Sequence, residues 1–217
     1  MLRPAAFGSD IQRYDLVSPP RHLIYPYRAG AVIAETEFRD LFPRTFEYLD
    51  RYREALASRA SIAAGGLKWY ELVRKRDERW LTSRKLLTRD LATETSFALD
   101  NTGETFLVGG TAVVPEDSSL APALLAYLNS KLINEYLGQI TPMFKQGFQK
   151  FEPQHLEQVP VLDQLVNNRE FSEMLGELAG QVIAARGEGR VKDQRTAEAA
   201  IDDQLRSALE AGDLETV

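Results

Sequence analysis

The sequence predicts an α+β fold: a mixed, largely antiparallel curved sheet flanked by helices and followed by a C-terminal helical pair. Three observations support this class. Apolar residues recur at three- and four-residue spacing in several stretches of the 217-residue chain, as in amphipathic helices. Short apolar segments bounded by turn residues lie between residues 85 and 114, as in strands. Helical spacing returns from residue 168 to residue 211.

The first 66 residues are predicted to alternate between strand, helix and loop. A short strand covers residues 22–25 and is closed by a proline. Residues 37–58 have the apolar spacing of a helix, and Pro43 marks a restart within it because proline suits a first helical turn. The sequence AAGG at 63–66 ends this helical region.

The middle of the chain is predicted to be rich in strands, over 85–89, 96–99, 105–108 and 111–114. The sequence DNTG at 100–103 is typical of a hairpin turn, so the second and third of these strands are expected to pair.

The second half is predicted to be mainly helical. One long helix runs from a serine cap at residue 118 or 119 to about residue 138, and a loop follows over 139–155. Two further helices, over 168–186 and 193–211, are separated by a glycine-containing stop. We therefore expect two regions, a domain over 1–161 and a helical extension over 162–217.

Charge is distributed unevenly along the chain. The net charge is −6, yet residues 1–90 contain 17 basic and 12 acidic residues, whereas residues 161–217 contain 6 and 12. This asymmetry indicates a basic working surface with an acidic remainder. No cysteine and only two histidines are present, which excludes disulfides and thiolate or histidine-rich metal centres. No apolar run is long enough for a membrane span and the start does not resemble a signal peptide, so a cytoplasmic location is expected.

The most basic stretch is KWYELVRKRDERWLTSRKLLTR, at residues 68–89. Guanidinium and ammonium groups interleaved with aromatic rings suit contacts to phosphates and stacking. Alternatively, the aromatic residues pin a surface segment to the core. The first hypothesis assigns nucleic-acid contacts to Lys68, Trp69, Tyr70, Arg74, Arg76, Lys85 and Arg89.

No stretch of the sequence has the pattern of a catalytic or cofactor site. Ser18-Pro19-Pro20-Arg21 approaches the motif that amine methyltransferases use, but arginine replaces the aromatic residue that would stack on a flipped base. The sequence GEGRVK at 187–192 approaches a dinucleotide loop but follows a helix rather than a strand. His155 is expected to be structural, either satisfied or exposed. The chain is therefore expected to hold no catalytic residue, metal or cofactor.

Six blocks in order resemble the C-terminal specificity domain of TaqI-like adenine-specific DNA methyltransferases, which also occurs in fused restriction–modification enzymes. They are LRPAAFGSDIQRYDLVSPPRHLIYPY at 2–27, FPRTFEYLDRYREALASR at 42–59, WYEL at 69–72, SFALDNTGETFLVGG at 96–110, LLAYLNSKLINEYLGQITPMFKQGFQKFEPQHLEQVPV at 124–161 and AIDDQLRSAL at 200–209. The sequence after Trp80, SRKLLTRDLA, lacks the prolines usual in that family.

The resemblance implies a module that reads double-stranded DNA for a methyltransferase supplied by another domain or chain, which would bind S-adenosylmethionine. The chain is then part of a site-specific DNA methyltransferase or restriction enzyme. Residues 143–151 are expected to approach the bases in a groove, through Lys145, Gln146, Gly147, Gln149 and Lys150. The alternative is an interaction subunit that docks a separate methyltransferase or restriction chain through its helical tail.

Overall fold

The computed structural model describes residues 1–17, 21–75 and 78–211. The strands, in chain order, are β1 (Leu2–Phe7), β2 (Ile11–Gln12), β3 (Asp15–Leu16), β4 (His22–Ile24), β5 (Tyr27–Arg28), β6 (Ala31–Val32), β7 (Lys85–Thr88), β8 (Leu91–Ala92), β9 (Phe97–Asp100), β10 (Phe106–Val108), β11 (Thr111–Val113) and β12 (Gln149–Lys150).

The helices, in chain order, are α1 (Glu35–Leu41), α2 (Pro43–Asp50), α3 (Arg53–Ala57), α4 (Ala60–Ala63), α5 (Ala121–Leu128), α6 (Lys131–Ile140), α7 (Pro153–Leu156), α8 (Asp163–Asn167), α9 (Arg169–Gly187) and α10 (Val191–Glu210). The predicted α+β class is confirmed. The strands form several small sheets in place of the single curved sheet that the sequence predicts.

Two three-stranded sheets form the centre of the first region. One has the order β10-β1-β4, in which β1 pairs with β10 in parallel and with β4 antiparallel. The other has the order β11-β7-β9 and is antiparallel throughout. All four side chains of β7 are buried because this central strand is covered on both faces.

The predicted hairpin over 96–110 is wrong, because β9 and β10 belong to different sheets. The chain does turn at the predicted position. Asp100 accepts hydrogen bonds there from the backbone N–H groups of Gly103 (3.1 Å) and Thr105 (3.0 Å), and its carboxylate lies 2.9 Å from the buried Lys85 ammonium. After this turn, β10 pairs with β1 in the first sheet, whereas β9 pairs with β7 in the second sheet.

The aromatic residues of the segment 35–75 form a separate small core. Phe38, Phe46, Trp69 and Tyr70 meet edge to face, with ring centroids 5.2–5.9 Å apart. The restart at Pro43 is confirmed, because α1 ends before it and α2 begins on it.

The single helix predicted over 118–138 is two helices, α5 and α6. Ser130 caps α6 by accepting a hydrogen bond from the Ile133 N–H at 3.3 Å. The side-chain amide of Asn129 both accepts from the N–H and donates to the carbonyl of Phe97, each at 2.9 Å. The break therefore places a buried amide against β9, in the position of a neighbouring strand.

The two C-terminal helices pack on the rest of the fold. Their bounds agree with the predicted ones to within about two residues, the accuracy expected for helix ends. Buried Leu175 and Val182 of α9 and Ile201 and Leu205 of α10 share one apolar cluster with α5, α6 and β9. The predicted apolar stripe of the tail is thus used within the molecule.

Candidate nucleic-acid interface

The loop between α6 and β12 projects as a tight hairpin, which we call the tip loop (residues 143–149). Met143 and Gln149 form an antiparallel bridge, and the Phe144 N–H donates to the Phe148 carbonyl at 2.7 Å. The two residues before Phe148 turn the chain with φ angles of 65° and 77°. A hairpin of this kind has the width of a two-stranded ribbon, which the major groove of DNA admits.

The tip loop is mounted on the second half of the fold by backbone and side-chain bonds. β12 pairs antiparallel with β8, and the Phe151 N–H donates to the Asp90 carbonyl at 2.9 Å. The Thr111 hydroxyl donates to the Phe151 carbonyl at 3.0 Å, and the Phe151 ring is completely buried. The base of the loop is therefore fixed on both sides.

The tip itself presents both polar and apolar groups. Six residues are exposed there: Met143, Phe144, Lys145, Gln146, Gly147 and Phe148. The Lys150 ammonium lies 5.6 Å from the centre of the Phe144 ring and 3.3 Å from the Glu152 carboxylate. The tip can thus offer cations, an amide and apolar surface to one ligand.

A shallow cleft lies where three turns of the sheets meet, next to the mount of the tip loop. It is lined by Gly8, Ser9, Arg89, Asp90, Leu91, Val108 and Gly109. The Arg89 guanidinium donates to the Ile11 carbonyl. At its edge, Asp10 accepts from the Phe7 N–H at 2.8 Å and lies 2.6 Å from the Arg21 guanidinium. The Phe7 N–H and Arg21 hold the pKa of Asp10 below its usual value.

Comparison with known protein families identifies the chain. The model of the TaqI-like C-terminal specificity domain matches residues 3–161, which is most of the sequence. The chain belongs to this family. No curated protein matches it. The resemblance is confirmed for the five blocks that end by residue 161, whereas the sixth block, at 200–209, lies outside the matched range. The tip loop and the cleft are parts of a TaqI-like specificity domain.

The element Gly-x-Asp-Ile-x-Arg-Tyr at residues 8–14 contacts both the second sheet and the C-terminal helix α10. Ile11 is fully buried beneath the second sheet. Arg13 pairs with Glu198 of α10 at 3.4 Å. Tyr14 has a φ angle of 62°, which is rare for a residue with a side chain, and its N–H donates to the Phe97 carbonyl at 2.8 Å. The element therefore serves the fold.

The basic segment 68–89 is less exposed than the hypothesis of nucleic-acid contacts requires. Trp69 and Tyr70 lie in the aromatic core, which confirms the alternative that these rings pin the segment to the core. Lys85 is 1% exposed and paired with Asp100. The predicted DNA contacts by these three side chains are wrong, because all three are buried. Arg76 lies outside the described residues.

Three further members of this segment remain wholly or partly on the surface. Arg74 is exposed, and Lys68 is half-buried with its ammonium 3.4 Å from the Ile33 carbonyl. Arg89 is also half-buried and committed to the Ile11 carbonyl. DNA contacts by these three residues stay predictions.

The structure does not agree with the predicted base contact of Gln149. It is 9% exposed because its side chain turns inward against α6, where its Nε2 would lie 3.3 Å from a Cβ at Gly138. It therefore cannot pair with a base edge from this position. Lys145, Gln146, Gly147 and Lys150 remain at or near the surface. Sequence reasoning missed the exposed apolar side chains, whose signal was the pair MF and a further phenylalanine within a polar loop.

Several arginines of residues 1–90 bind other groups of the protein, so the basic surface is smaller than the charge count of this segment indicates. Arg53 stacks 4.2 Å from the centre of the Trp69 ring and pairs with Glu35 at 2.7 Å. Arg59 donates to the carbonyls of Trp69 (2.7 Å) and Glu71 (3.1 Å). These arginines hold the aromatic core together, so the positive balance of residues 1–90 is not a measure of surface charge.

The rejected catalytic motifs have structural roles or lie outside the described residues. The glycines at 187 and 189 end α9, as predicted. Ser18, Pro19 and Pro20 are outside the described residues. His155 is buried in α7, and its Nδ1 has no hydrogen-bond partner within the described part of the chain, which differs from the expected satisfied or exposed residue.

Across residues 1–17, 21–75 and 78–211, no acidic and histidine side chains cluster as metal ligands. Within the same ranges, no helix combines the length and apolarity of a membrane span.

Proposed function

We propose that this chain reads double-stranded DNA sequence for an adenine-specific DNA methyltransferase or a restriction–modification enzyme. The observation that carries the proposal is membership of the TaqI-like specificity family across residues 3–161. The activity would be supplied by a methyltransferase domain or subunit that binds S-adenosylmethionine. Acting on DNA with such a partner, the chain would work in the cytoplasm.

The geometry of the tip loop supports groove contact. It is a narrow, firmly mounted hairpin, and loops on rigid scaffolds commonly carry binding residues. Lys145 and Lys150 can neutralise phosphates on either side of a groove, and the amide of Gln146 can donate to and accept from an adenine edge. These are the residues to which we assign DNA contact at the tip.

A salt titration of duplex binding tests the proposal. The logarithm of the affinity of the full chain should fall linearly with the logarithm of salt concentration, with a slope of about 0.9 per phosphate contacted. Lys145→Ala and Lys150→Ala should each lower that slope by about one contact. Lys192→Ala provides the control, because Lys192 is exposed on α10 and is not assigned to DNA.

Two results would contradict the proposal. One is negligible binding of any duplex at low salt. The other is an equal loss of slope in the Lys192→Ala variant, which would mean that binding follows overall charge and not the tip loop. The docking alternative gains no support from the tail, because its apolar stripe packs within the molecule.

A further inference from the structure

Three large apolar side chains of the tip loop are exposed to solvent close together. Met143 is 70% exposed, Phe144 45% and Phe148 37%, and all three lie within six residues. Single exposed apolar residues are ordinary on protein surfaces, but a cluster at a projecting tip marks a binding surface.

The exposure is held in place by the local structure. The bridge between Met143 and Gln149 and the Phe144–Phe148 backbone bond fix the hairpin, and Phe151 anchors its second strand in the core. The apolar side chains therefore stay exposed while the base of the loop is rigid. A ligand would meet this surface already formed, without the entropic cost of ordering the loop.

Two lysines accompany the apolar side chains of the tip loop. Lys145 is exposed beside Phe144, and the Lys150 ammonium lies over the Phe144 ring at 5.6 Å. The acidic partner of Lys150 is Glu152, whose carboxylate lies 3.3 Å away. A major groove has the matching arrangement, because phosphates line its two edges while the thymine C5-methyl group is the apolar feature of its floor.

We propose that Phe144 and Met143 contact thymine C5-methyl groups in the major groove, so that thymine methyls determine part of the sequence preference of this chain. This inference rests on the proposed function, because it names which chemical feature of the duplex the tip loop reads. Gln146, at the turn of the loop, supplies the accompanying hydrogen bonds to a neighbouring base edge.

The test uses the full chain and duplexes enriched by it from a random-sequence library. Each enriched duplex is compared with a copy in which uracil replaces every thymine, a change that removes only the methyl groups. The uracil copy should bind about fourfold more weakly for each thymine methyl that the tip loop buries, the ratio expected for one buried methyl-sized group. Phe144→Ala should reduce the affinity ratio between the two copies, and Phe144→Ala combined with Met143→Ala should bind them with nearly equal affinity. Lys145→Ala should weaken the binding of both copies and keep their ratio.

The outcomes separate this inference from the proposed function. If no duplex is enriched, the proposed function itself fails. If a duplex is enriched but its uracil copy binds equally well, or if Phe144→Ala and Met143→Ala leave the thymine preference unchanged, only the methyl contact is overturned. A Phe144→Ala chain that binds DNA as before but loses self-association in sedimentation would overturn it in favour of a protein interface. Unchanged circular dichroism and urea midpoint of the variants confirm that they are folded.

Discussion

Replacement of Lys85 by methionine tests the most consequential correction that the structure makes to the sequence-based site. Lys85 and Asp100 are both buried, and their charged groups lie 2.9 Å apart. Asp100 also holds the turn that separates β9 from β10, through the N–H groups of Gly103 and Thr105. The pair is thus a structural element of the central sheet.

Lys85→Met should be strongly destabilising because it leaves the Asp100 carboxylate buried without its counter-charge. Loss of one partner of a buried ion pair costs about 3–5 kcal/mol of unfolding free energy. Arg206→Met is the control: it removes the exposed partner of Asp203, 3.3 Å away, and should change the unfolding free energy by less than about 1 kcal/mol. Adding Asp100→Asn to Lys85→Met should recover part of the loss, because the unpaired charge is then removed.

The deficit of Lys85→Met should also depend on pH. Burial raises the pKa of Asp100, but the hydrogen bond and charge of Lys85, together with hydrogen bonds from Thr102 and Thr105, outweigh it and hold the folded pKa below its usual value. Ionised Asp100 therefore stabilises the wild-type protein above about pH 4, and this contribution is lost as pH falls through the lowered pKa. Loss of Lys85 removes the main influence that lowers the pKa of Asp100, so this pKa should rise. The deficit should therefore be largest near neutral pH and shrink towards pH 4.

Urea unfolding at pH 7, 5.5 and 4 measures these differences. A Lys85→Met protein as stable as wild type at all three pH values, but with a reduced salt dependence of DNA binding, would refute the structural role. That result would instead support the DNA contact that the sequence predicts for Lys85.

Three further changes test the packing of the fold. Asn129→Ala should cost about 1–3 kcal/mol of unfolding free energy, because it removes the acceptor of the buried Phe97 N–H, while the Phe97 carbonyl keeps its bond from the Tyr14 N–H; urea unfolding measures it. Gly103→Ala should cost about 3 kcal/mol or more, because a Cβ there would lie 2.6 Å from the Ser83 carbonyl oxygen at a φ angle of 72°; thermal unfolding measures it. Leu205→Ala should cost about 2–5 kcal/mol and shift the tryptophan fluorescence and circular dichroism transitions together, since its cluster joins the tail to α5, α6 and β9.

Matched variants distinguish these effects from general sensitivity. Gly147→Ala has a similar φ angle of 77° but no atom within 4 Å of its Cβ, so it should cost only about 1 kcal/mol. Ile183→Ala on exposed α9 surface should cost much less than Leu205→Ala, and Gln181→Ala much less than Asn129→Ala. Equal costs within any of these pairs, or separate transitions in Leu205→Ala, would contradict this packing.

The elements that the sequence predicted correctly are those fixed by local chemistry. Pro43 restarts a helix because proline fits a first turn, and Asn168 caps α9 by accepting from the Phe171 N–H at 3.1 Å. The tail helices follow from apolar spacing alone. In each case, the residues that decide the structure are within a few positions of one another.

The elements predicted wrongly depend on distant partners. The turn at 100–103 has hairpin chemistry, but β10 pairs with β1, which lies about a hundred residues earlier in the chain. The long helix breaks because Asn129 meets the backbone of Phe97, a contact that helical periodicity does not encode. Pairing between strands far apart in sequence is decided by the whole sheet.

The candidate site shows the same limit. Basic and aromatic residue types predicted DNA contacts, but they do not tell on which side of a short strand or turn a side chain lies. Lys85 faces Asp100 inside the second sheet, and Gln149 faces α6. The tip loop was predictable as a segment, because its glycine and its position between helices mark a loop. The exposure of its apolar side chains was not predictable, because it depends on which side chains pack in the core.

Site-directed cross-linking to DNA tests the central claim most directly, and the absence of cysteine from the chain makes single-cysteine variants simple to label. A photo-cross-linker attached at Gln146→Cys lies on the tip loop, and one attached at Lys192→Cys lies on α10. The claim that the tip loop enters the duplex predicts strong cross-links to bases from position 146 and few from position 192. Cross-links of equal yield from both positions, or from position 192 alone, would contradict it.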